Sequence, residues 1–129
     1  MDIKMGADSE NSCRVTISGD LDKALELPAP IFLFVDLKRG HKPIAGLRLD
    51  CALWAVQEKM GFNLWWLIEP AAKSPRVKLI LPLESRGFFD FEKILAIQSP
   101  PEAVGVGITA FKVTEKAMTY FIMLDFTKL

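Results

Sequence analysis

Hydrophobic and polar residues alternate along much of this chain in short blocks cut by glycine, proline and polar turns, as in strands half covered by a core. Residues 13–18 (CRVTIS) set Cys13, Val15 and Ile17 on one face and stop at Gly19-Asp20, which predicts a first strand. Residues 20–27 are compatible with a helix but run into Pro28 and Pro30, which limits them to one or two turns. Residues 31–37 (IFLFVDL) are apolar on both faces until Asp36, predicting a central strand covered on both sides. Further strands are expected over 44–49, 62–69 (FNLWWLIE) and 76–83 (RVKLILPL), with Pro82, which cannot donate to a ladder, marking either an edge or a strand end in the last.

Two segments read as helices. Asp50 is a good N-cap, residues 51–60 (CALWAVQEKM) lack glycine and proline, and Gly61 stands where a helix commonly ends. Leu49, Leu53, Val56 and Met60 fall on one helical stripe, and although Leu47, Leu49, Cys51 and Leu53 also alternate as a strand, caps and period together favour the helix. Residues 88–98 place Phe88, Phe91, Leu95 and Gln98 on a second stripe, closed by Pro100-Pro101, although Phe89, Phe91, Leu95 and Ile97 also suit a strand with Lys93 out of place. In the last third, residues 104–113 and 117–127 are strands joined by Thr114-Glu115-Lys116, which predicts a C-terminal hairpin with a bulge near 107–110. The fold class expected is therefore α+β: a mainly antiparallel sheet of about six strands, one or two packed helices and a C-terminal β-hairpin. Residues 1–12 are polar and read as a disordered tail, leaving 13–129 as one domain.

Composition narrows the function classes. Sixteen Lys and Arg balance sixteen Asp and Glu, which removes the broad electrostatic drive toward nucleic acid or an anionic membrane. Neutrality in a chain that is 50% hydrophobic also weakens colloidal repulsion, so a homo-oligomer is expected. No apolar run approaches the ~20 residues that cross a bilayer, and the first dozen residues lack the apolar region of a secretory signal. A cytoplasmic protein without membrane contact is the expectation. Cys13 and Cys51 are far apart, there is one histidine and no C-x-x-C, so two reduced thiols are expected and no zinc or other cofactor.

Candidate chemistry is sparse. Gly105-Val106-Gly107 lacks the third glycine and the following helix of a dinucleotide loop, and suits a strand. His41 would have to serve any general acid–base scheme, yet it sits in a polar loop beside Lys38, Arg39 and Lys42. Those four residues together could contact an anion, and Arg76 and Lys78 could extend the basic strip. Trp54, Trp65 and Trp66 exceed what one core stripe holds and are candidates for an interface or for the wall of a pocket, with Glu58 or Glu69 orienting a ligand. With no nucleophile–base set, the reading is a non-enzymatic binding protein that self-associates. The alternatives are a small-molecule binder with an aromatic-walled pocket and a single-strand nucleic-acid binder, the latter disfavoured by the zero net charge.

Overall fold

In the computed structural model, residues 1–21, 24–37, 44–57, 60–71, 73–91, 97–111 and 118–129 are described. Ten strands follow one another among them: β1 (Asp2–Asp8), β2 (Ser12–Leu21), β3 (Leu25–Leu33), β4 (Leu47–Val56), β5 (Gly61–Glu69), β6 (Arg76–Glu84), β7 (Arg86–Asp90), β8 (Ile97–Gln98), β9 (Gly105–Phe111) and β10 (Met118–Lys128). A single 3-10 turn, Phe34–Asp36, follows β3. The strands form two antiparallel sheets. One has the order β1-β2-β10-β4-β7, with β8 beside β7 along the same edge of β4; the other has the order β3-β9-β5-β6.

The sheets pack face to face through the alternating apolar positions of their strands. Val15, Ile17, Leu47, Leu49, Ala52, Ile122, Leu124 and Phe126 of the six-stranded sheet meet Phe62, Leu64, Trp66, Val106 and Ile108 of the other, all of them buried. Ring contacts cross the layer: Phe62 against Tyr120 with centroids 4.8 Å apart, Trp66 against Phe126 at 6.3 Å, and Phe32 against Phe126 at 5.7 Å. The chain changes sheet between β6 and β7 at Ser85, whose φ of 57° is the left-handed conformation that turns a strand corner.

The α+β class is overturned, because the described chain is almost entirely antiparallel strand with no α-helix. The stretch over 50–60 shows why. Asp125 pairs with Cys51 and Phe126 with Leu49, so Asp50 is an extra residue, a β-bulge in β4. A bulge inverts the parity of everything beyond it: Leu47 and Leu49 point inward before Asp50, Ala52, Trp54 and Val56 after it. The phase change removes a clean period of two and leaves Leu49 and Val56 at a spacing that imitates a helical stripe. Asp50 is then no N-cap, and Gly61 opens β5 with the Phe111 ring lying over it. Over 88–98, residues 88–90 belong to β7 and Ile97–Gln98 form β8, while 92–96 lie outside the described residues.

The C-terminal hairpin is also corrected. β9 pairs with β3 and β5 in one sheet and β10 with β2 and β4 in the other, so the connection at 112–117 joins two sheets and not two neighbouring strands. The register shifts expected in β9 belong to its partner β3. Residues 25–33 are an edge strand, not a central one over 31–37, and 20–21 continue β2. The polar N-terminus expected as a tail holds β1, paired to β2 from Asp2↔Ser18 to Asp8↔Cys13. What secures it is Lys128, whose wholly buried side chain bonds the Asp8 carboxylate and the Ser9 carbonyl. Polarity is compatible with a strand there because an edge is only half covered. Among the described residues no helix is long and apolar enough to cross a membrane.

Candidate functional site

The outward face of the six-stranded sheet, away from the core, is an ordered grid. Its register aligns Ser18, Phe121, Ala55 and Arg86 in one row across β2, β10, β4 and β7; Thr16, Met123, Leu53 and Phe88 in the next; and Arg14, Asp125, Cys51 and Asp90 in the third. The first two rows are mainly apolar and the third is charged. The β4 bulge shapes the boundary below it, because the extra residue brings Asp50 onto the same face as Cys51.

In the charged half, Arg14 donates to both oxygens of Asp125, at 2.7 and 3.0 Å, the bidentate geometry that suits guanidinium and carboxylate. Arg48 Nε donates to Asp50 Oδ1 at 2.6 Å and Arg48 also reaches Thr127 Oγ1 at 3.2 Å, while the Thr127 hydroxyl donates to Asp50. The bulge carbonyl of Asp50 accepts from the Phe91 N–H at 2.8 Å. Of these, Arg14, Asp125 and Asp50 line an open depression of about 520 Å³, together with Cys51 and Asp90.

Its electrostatics hold the thiol protonated. Burial first, then the negative charges of Asp125 and Asp90, push the Cys51 thiol above its ordinary range, against a smaller opposing pull from Arg14. On the other side of the sheet, burial pushes Cys13 up to about 11. Both cysteines are unbridged, and β10 lies between the strands that carry them. A thiol kept protonated is a poor nucleophile, and the Asp50 and Asp125 carboxylates are engaged by arginine. This half of the face therefore ties β2, β10 and β4 together more than it offers reactive groups. Among the described residues, no three acidic, cysteine or histidine side chains are placed to hold a metal ion.

The apolar half is different in kind. Phe88 is 59% exposed, Phe121 40% and Leu53 38%, with Ala55 exposed and Met123 partly so. They lie side by side on three neighbouring strands, so the exposed carbon is contiguous. Against this geometry, comparison with other proteins is silent: the chain matches no family model, no curated protein and no solved structure. Only the residues themselves bear on function.

The residues singled out from sequence are dispersed. Trp54 faces inward, donates from Nε1 to the Glu84 carbonyl at 3.0 Å and stacks on Phe89 at 5.8 Å. Trp66 is buried in the core. Trp65 lies on the outward face of the other sheet, its Nε1 bonded to Thr109 Oγ1 at 2.9 Å. The three therefore wall no common pocket. Glu69 pairs with Arg76 at 2.7 Å, both groups more than half exposed. Glu58 and the basic residues Lys38, Arg39, His41 and Lys42 lie outside the described residues. Sequence reasoning passed over Leu53, Phe121 and the ends of β7. Phe121 was legible, since it is out of phase with Tyr120, Ile122 and Leu124; Leu53 was hidden by the bulge.

Proposed function

We propose that this chain is a non-enzymatic interaction protein that self-associates through the apolar half of its six-stranded sheet. The observation that carries this reading is the contiguous patch of Phe121, Met123, Leu53 and Phe88, spread over two adjacent rows, on a face whose other half is held by paired charges. Single exposed apolar residues are ordinary, but a cluster on neighbouring strands costs solubility unless something covers it. A second copy fits because the chain carries no net charge to keep copies apart. Aromatic side chains at the centre of such a patch are the usual carriers of binding energy.

Sedimentation velocity across a concentration series tests it. The protein is expected to form a dimer or larger species as concentration rises toward ~0.1 mM, corresponding to an interaction of about 5–6 kcal/mol. Phe121→Ser and Leu53→Ser are each expected to weaken association while leaving the circular dichroism unchanged. A monomer at every concentration up to that limit overturns the reading.

A further inference from the structure

Resting on that reading, we infer that the copies join through β7, paired antiparallel with the β7 of a second copy about a two-fold axis at Phe88, so that the two six-stranded sheets continue into one. Five strands end the two sheets among the described residues: β1, β3, β6, β7 and the two-residue β8. A strand at a sheet edge presents unpaired backbone groups, and proteins that stay monomeric blunt such edges with proline, lysine or bulges. β8 is too short to pair at length, and three of the other four carry these devices. β1 has Lys4 and a register break between Met5 and Ala7. β3 has Pro28, Pro30 and two breaks. β6 has Pro82, the exposed cations Arg76 and Lys78, and a register break between Leu79 and Leu81. β7 has no proline, lysine or bulge: its charges, Arg86 and Asp90, are of opposite sign at its two ends, and its register against β4 runs unbroken from Ala55↔Arg86 to Cys51↔Asp90.

The backbone of β7 is oriented for pairing. The Val56 N–H donates to the Ser85 carbonyl, and the Phe91 N–H to Asp50, so the odd-numbered positions turn their hydrogen-bonding groups toward β4. By the alternation of antiparallel ladders, Arg86, Phe88 and Asp90 turn theirs to the opposite edge. The sequence Arg-Gly-Phe-Phe-Asp is complementary to itself when reversed. Centring the pair on Phe88 sets Arg86 opposite the partner's Asp90 and Asp90 opposite the partner's Arg86, with Gly87 facing the partner's Phe89, a small residue against a large one. Opposite charges directly across an antiparallel pair stabilise it and like charges oppose it, which fixes the register. A carboxylate accepts several donors, so Asp90 can receive the guanidinium alongside contacts within its own chain. On the outward face the two Phe88 rings become neighbours and join the exposed rows of both copies.

Charge reversal tests the pairing. Because the interface is isologous, Arg86→Asp alone, or Asp90→Arg alone, replaces two attractions by two repulsions and is expected to weaken the dimer about tenfold or more. The double variant Arg86→Asp with Asp90→Arg restores the pairs and is expected to return within about threefold of the parent. Phe88→Pro supplies a second arm: it removes an N–H directed away from β4, so the thermal melt of the monomer is expected to stay close to that of Phe88→Ala while dimerisation is lost. If single reversals associate as the parent does, or the double variant is weaker than both, the β7 pairing is overturned. Should Phe121→Ser or Leu53→Ser still dissociate the protein in that case, face-to-face association survives without the edge. A parent chain that is monomeric throughout removes both.

Discussion

The two sheets treat apolar residues on their outward faces in opposite ways. On the four-stranded sheet, large side chains lie flat in slots left by glycines: Leu67 over Gly107, Leu33 over Gly105 and Phe111 over Gly61. A Cβ at Gly107 would come within 2.6 Å of Leu67 Cδ2 and 3.2 Å of the Ala29 carbonyl oxygen, and Leu67 is fully buried although it faces away from the core. Trp65 lies on the same face and spends its polar atom on Thr109. The six-stranded sheet has no such slots in its apolar rows. Ala55, Leu53 and Met123 stand between Phe121 and Phe88, so the rings have nothing to fold into and remain exposed. One face thus covers most of its own carbon, with Leu79 on the edge strand β6 left 46% exposed, and the other offers a patch spanning three strands to a partner. Glycine placement decides which.

Two leucines give the largest contrast. Leu67→Ala is expected to cost about 2–5 kcal/mol, the range for emptying a buried site, whereas Leu53→Ala is expected to cost well under about 1 kcal/mol in the monomer. Chemical denaturation at low protein concentration measures both, and equal losses would erase the distinction between the faces. Gly107→Ala is the next test, at roughly 1–3 kcal/mol for a methyl driven against Leu67 and a backbone oxygen. If it is neutral, the slot is not needed. Replacing Ala55 by glycine works in the other direction: Phe121 gains a place to lie, so association should weaken severalfold while the fold persists, read by sedimentation.

A pH-dependent effect marks the core side of the six-stranded sheet through its thiol. Cys13, on the core side, is pushed up to about 11 by burial. A thiol whose folded value is raised stays protonated while the unfolded chain ionises near pH 9, so stability is full below that pH. It then declines between about pH 9 and 11 by roughly 1–3 kcal/mol. Thermal melts of the parent against Cys13→Ala check this: the variant, though less stable overall, should lose that part of the alkaline slope. An identical slope would assign it elsewhere.

Much of the sandwich was legible in the sequence where period and burial agree. β2, β5, β6 and β10 were all anticipated, and of the two readings of Pro82, an edge or a strand end, β6 takes the edge. What failed was local phase. A single bulge at Asp50 disguised β4, the strand that β10, β7 and β8 all pair against, and with it the sheet order and the exposed position of Leu53. The connection from β9 to β10 resembled a hairpin because turn composition says where a chain reverses but not which sheet it enters. β1 was missed because its polar sequence buries little; its place depends on Lys128, 120 positions away from Asp8. The candidate surface was the least legible part, since adjacency across strands depends on register.

Residue-resolved amide hydrogen exchange, compared between dilute and concentrated protein, tests the account most directly. If the apolar rows and the unguarded β7 edge are where copies meet, the Phe88 amide will exchange more slowly as concentration rises, while the amides on the outer edge of β6 will not change. A Phe88 amide that exchanges at one rate at every concentration, in a protein shown by sedimentation to associate, would contradict it.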